Sequence, residues 1–144
     1  MVELQAPAAV HEALQVTVSD ENCSGPLAVQ GSDVAYVNVK QSLRGSVEAA
    51  GSDWAARYED ARPQGWDMRV GLVGALARDQ RGQRLVELDA QVTLFARQGH
   101  TYLGQTRAHC SVSQPIGVEE AKPFSDCLSS LSRDIAAWLE HISP

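Results

Sequence analysis

The chain has 144 residues, 44% of them hydrophobic and 21% charged. This is the balance of one globular domain, not of a disordered tail or of two ordinary domains. Eighteen acidic against twelve basic residues give a formal charge of −6, which argues against nucleic acid as a partner because phosphate contacts need a cationic footprint, and no apolar run approaches the ~18 residues of a membrane span.

Residues 1–12 lack periodicity and read as a flexible lead-in, leaving 13–144 as a single domain. Leu14, Val16 and Val18 alternate with Gln15, Thr17 and Ser19, the period-two mark of a half-buried strand. A helix is expected to open near Ser32 or Asp33, either of which can cap a first turn. Tyr36, Val39, Leu43, Val47, Ala50 and Trp54 then form one stripe facing a core. Arg57 to Gly65, with Pro63, reads as a loop.

The middle of the chain is a three-stranded meander. Trp66, Met68, Val70 and Leu72 alternate with Asp67 and Arg69, and Asp79-Gln80-Arg81-Gly82 supplies a turn. Val86, Leu88, Ala90, Val92 and Leu94 alternate with Glu87, Asp89, Gln91 and Thr93, which predicts an antiparallel strand with one wet face. After a reversal at Gln98-Gly99-His100, Tyr102, Gly104, Thr106, Ala108, Cys110 and Val112 form the inner set of the next strand. Beyond Pro115 the period lengthens: Phe124, Cys127, Leu131, Ile135, Trp138 and Ile142 step by three or four residues, an amphipathic helix with Pro123 in its first turn. The order β-α-β-β-β-α predicts a two-layer α+β sandwich, with both helices on the single apolar face of an antiparallel meander.

Centring the second hairpin on Gly99 makes paired residue numbers sum to 198. That sets Asp89 opposite His109, Gln91 opposite Arg107 and Phe95 opposite Leu103, all on the wet face. Asp89 and His109 are the one acid–histidine pair resembling a catalytic dyad, but an open sheet face offers them neither nucleophile nor pocket. No P-loop, GxGxxG or GxSxG is present, so catalysis is not expected. Neither a cofactor nor a metal is implied, since no CxxC or helical carboxylate pair occurs.

Residues 61–110 hold seven arginines against four acids, a local +3 that leaves −9 for the remainder. Phe95, Leu103 and Val73 would make an apolar spot flanked by Arg69, Arg97 and Arg107, a mixture common in protein interfaces. The loop around Trp54, Tyr58 and Arg62 is the other candidate contact. Cys110 on the inner sheet face and Cys127 on the helix stripe can meet, as a disulfide closing a loop of about sixteen residues or as two buried thiols. Cys23, beside a turn, is the alternative partner for either.

The meander "RLVELDAQVTLFARQGHTYLGQTRAHCSVSQP" followed by the helix "FSDCLSSLSRDIAAWLEHI" resembles the auxiliary lipoprotein subunits of bacterial ABC-type envelope transport systems. It is similar, more loosely, to small α+β domains of other outer-membrane lipoproteins, including activators of peptidoglycan synthases. The resemblance covers about half of the chain and rests on pattern, without a diagnostic motif. It implies a periplasmic, non-enzymatic module that docks onto other envelope proteins, with membrane contact only through an N-terminal anchor removed from this sequence. An oxidising compartment would favour one disulfide and one leftover thiol. A cytoplasmic module holding a small ligand between sheet and helices is the alternative, which a core densely filled by Leu88, Val92, Leu131 and Ile135 would oppose.

Overall fold

The computed structural model describes residues 2–4, 13–19, 26–117 and 119–142. Among them, seven strands and two long helices follow in the order β1 (Val2–Glu3), β2 (Leu14–Ser19), β3 (Leu27–Gln30), β4 (Ala35–Val37), α1 (Val39–Arg57), β5 (Trp66–Gln80), β6 (Gln83–Ala96), β7 (Thr101–Pro115) and α2 (Lys122–Leu139). The three long strands form the expected antiparallel meander, β5–β6–β7. The other side of β5 is shared: β2 runs parallel to its first half and β3 parallel to its second. Beyond β3 come β4 and then β1. The sheet is therefore mixed, with an α+β two-layer architecture.

Both helices lie on the inner face. There Val70, Leu72, Leu88, Val92 and Leu94 meet Leu43, Val47 and Trp54 of α1 and Phe124, Leu131, Ile135 and Leu139 of α2, all at most 3% exposed. Each such large side chain contributes about 1.5–3 kcal/mol of burial. The alternation read in β6 is realised residue by residue: every second side chain from Arg84 to Ala96 is buried.

The start of the chain differs from its sequence reading. Ser32 caps no helix; its hydroxyl accepts from the Val34 N–H at 3.2 Å in a turn that reverses β3 into β4, with Gly31 at φ +83°. Tyr36 belongs to β4, and α1 begins only at Val39, after Asn38 takes the left-handed conformation that asparagine tolerates. Strands of four and three residues are too short to show a period. Residues 2–4, assigned to the lead-in, are built into the fold: Val2 and Glu3 pair with Tyr36 and Val37, and Leu4 is buried. The rest of that lead-in, 5–12, lies outside the described residues.

The 198 register holds from Gln83–Pro115 to Leu94–Gly104 and then breaks. The connection between β6 and β7 closes with Ala96 opposite Thr101, an odd sum, so a bulge must absorb one residue and Phe95 faces Tyr102.

Candidate functional site

The helix-free face of the sheet carries the expected apolar spot, built from a partly different set of residues. Phe95 and Tyr102 pack edge to face, ring centroids 6.0 Å apart. The Arg69 guanidinium stands over Phe95 at 4.9 Å, a cation–π arrangement. Val73 occupies a second bulge, between Leu72 and Gly74 of β5, and is 43% exposed. Tyr102, at 57%, stands where Leu103 was expected. The bulge turns Leu103 inward, where it packs against the core. Tyr102, assigned by the sequence to the inner set, was missed because parity counting cannot locate a bulge. The four-residue reversal containing Gly99 at φ +74° and His100 at φ +49° was the available signal.

Three further candidates are occupied elsewhere. Arg97 donates to the Asp67 carboxylate at 2.9 Å and to the carbonyls of Gln64 and Trp66 at 3.0 and 3.2 Å, so it ties down the entry to β5. Trp54 is 2% exposed and packs against Trp66 at 4.9 Å; it is a core residue, not a docking loop. Tyr58 is half-buried beside Trp54, centroids 5.4 Å apart.

Asp89 lies opposite His109 as the register required, but its carboxylate is taken by Arg107, which donates two hydrogen bonds of 2.9 and 2.7 Å. The guanidinium holds the Asp89 carboxyl below its usual range. An acid held by an arginine does not orient an imidazole as a dyad would. Among the described residues no group of three or more His, Cys, Asp or Glu is placed to hold a metal ion.

Cys110 and Cys127 are joined by a disulfide, with Cα atoms 5.3 Å apart and both residues buried. Cys23 lies outside the described residues. A buried ion pair escaped the sequence reading altogether. Arg84, 4% exposed, donates to Asp79 at 2.7 and 2.8 Å across the β5–β6 hairpin. Nearby, the Tyr36 hydroxyl donates to the Glu120 carbonyl at 2.6 Å, and burial pushes that phenol above its ordinary pKa. The sequence placed Asp79 in a turn and left Arg84 unremarked, because an arginine at an inward position looks like a break in the pattern.

No family model and no curated protein matches the chain. Solved structures do. A Xanthomonas campestris protein of the DUF330 family is similar at 9% identity and a TM-score of 0.52, over 96% of this chain and 91% of that one. A candidate lipoprotein from Caulobacter crescentus is similar at 10% identity and a TM-score of 0.51, over 90% and 92%. A hypothetical protein from Chlamydia trachomatis reaches a TM-score of 0.58 at 11% identity, over 88% and 94%. The likeness is one of fold, and it runs nearly end to end. The architecture is one that bacterial proteins, a candidate lipoprotein among them, share.

Proposed function

We propose that the protein is a non-catalytic, lipoprotein-like domain of the bacterial cell envelope, periplasmic or associated with the outer membrane. It serves as an accessory component of an envelope assembly or transport system by docking another envelope protein against the open face of its sheet. The observation that carries this reading is the Phe95–Tyr102 pair under Arg69, beside exposed Val73, on the helix-free face. Aromatic and arginine side chains dominate protein interfaces. The Cys110–Cys127 disulfide supports an oxidising compartment, and the fold shared with a candidate lipoprotein supports the envelope. Against the small-ligand alternative, Leu88, Val92, Leu131 and Ile135 are at most 1% exposed and fill the centre of the layer between sheet and helices.

The test is a photo-crosslinking residue at position 73, expressed in the native host. A discrete adduct with an envelope protein is expected, and Phe95→Asp with Tyr102→Asp should abolish it while circular dichroism stays unchanged. An undiminished adduct in that folded variant refutes docking on this face. Alkylation of the host-purified, denatured protein should find one free thiol of three; three free thiols would move the domain to a reducing compartment.

A further inference from the structure

The outer edge of β7 is the longest unpartnered run of backbone on the described molecule. β7 spans fifteen residues and pairs only with β6, and among the described residues no other backbone hydrogen bond reaches 103–114. Natural proteins guard such edges with lysine, proline, bulges or very short strands. From Thr106 to Gln114 there is no lysine, proline or glycine, and the register with β6 is unbroken. The charge that would guard it, Arg107, is drawn back over β6 by its hydrogen bonds to Asp89 and stays exposed to a neighbour.

The edge is also held rigid. Gly104 lets the end of α2 seat against the strand, since a Cβ there would lie 2.8 Å from Ile142 Cδ1 and 3.3 Å from Trp138. Cys110 is bonded to Cys127, and Gln114 donates to Asp126. Three anchors along one strand reduce the entropy lost when a second strand is added.

Charge indicates what that second strand carries. On the outer face β6 presents Glu87, Asp89 and Gln91, and β7 presents Ser111, His109 and Arg107 opposite them in that order. Arg107 is the one formal charge on β7, so the next column outward is complementary if it is acidic. The β7 strand of a second copy cannot supply it: residues 101–115 contain neither Asp nor Glu, so no register of β7 against itself brings an acid beside Arg107. The inward side chains of an added strand would continue the row of Ala108, Cys110 and Val112, which calls for apolar residues.

We propose that the β7 edge binds an extended segment of a partner protein by strand addition, a segment alternating apolar and acidic residues. The proposal deepens the docking reading and rests on it: it names a second contact and the chemistry of the partner.

The probe is a fluorescein-labelled nonapeptide alternating valine and glutamate, titrated with the full, oxidised chain at low salt and followed by anisotropy. Saturable binding is expected, about tenfold tighter than that of the valine–lysine counterpart, with Arg107→Glu inverting the preference. Two further peptides carry N-methyl groups on alternate amides, in opposite phases. A strand added to an edge uses every second N–H, so one phase should abolish binding and the other leave it intact. No binding at millimolar protein, equal binding of both charges, or equal tolerance of both methylation phases overturns the proposal. Phe95→Asp should not change peptide affinity, so failure of the open-face reading and failure of the edge are read separately.

Discussion

At the scale of single residues, the Asp79–Arg84 pair is the most demanding interaction in the molecule. A guanidinium at 4% exposure is tolerable only because two charge-assisted hydrogen bonds replace its water. Asp79→Ala leaves that charge buried and unpaired, and should cost about 3–5 kcal/mol, seen as a lowered urea midpoint with an unchanged slope. Replacing both residues by aliphatic ones should restore most of the loss, because the desolvation penalty goes with the charge. Tyr36→Phe removes one hydrogen bond to the Glu120 carbonyl and should cost about 1 kcal/mol. Exposed Tyr102 is a contrast: its removal should leave stability within about 0.5 kcal/mol, which makes it a clean probe of docking.

At the scale of elements, α2 is attached to β7 by a covalent bond as well as by packing. The disulfide joins residues at a sequence separation of 17, and a loop of that size corresponds to about 3 kcal/mol on the chain-entropy account. Cys110→Ser with Cys127→Ser should lose that amount in urea unfolding, and adding dithiothreitol should then have no further effect. Gly104→Ala introduces a Cβ where the Ile142 and Trp138 side chains already stand. It should lower stability by about 1–3 kcal/mol through overpacking, measurable as a drop in Tm. The meander was legible in the sequence because three strands of fourteen or fifteen residues repeat their period several times. β3 and β4, at four and three residues, complete at most two periods, so Tyr36 was absorbed into the stripe of the helix that follows. The register was legible up to Leu94 and lost at Phe95, where one extra residue changes the parity of everything beyond it.

For the whole molecule, the carboxylates of Asp79, Asp89, Asp126 and Glu140 are all held below their ordinary values, first of all by hydrogen bonds from Arg84, Arg107, Lys122 and Arg57. A group whose folded pKa lies below its unfolded value, about 4, stabilises the fold above that value. The contribution is lost as pH falls through the folded pKa, since the unfolded chain then binds more protons. Tm should therefore hold near neutrality and decline below about pH 4. The exposed pairs are screened and add little; Asp79, the least exposed partner, carries most of the slope. Asp79→Asn should flatten the acid limb of a Tm-against-pH curve, while Asp89→Asn should leave it nearly unchanged.

What the sequence by itself determined were the features written in a repeating local period: the meander, the amphipathic stripe of α2, the inner positions of Cys110 and Cys127, and the outer positions of Phe95 and Val73. Side-chain direction in a strand or helix follows from backbone geometry alone, so it can be read without knowing the neighbours. Tertiary structure alone decided which elements share an edge and where the period slips. It paired β2 and β3 with the two halves of β5, turned Tyr102 outward and Leu103 inward, and gave Asp89 to Arg107. It also buried Arg84 beside Asp79 and, among the described residues, paired β7 with β6 alone. These outcomes depend on distances between segments remote in the chain, set by packing and charge pairing once the layers have come together.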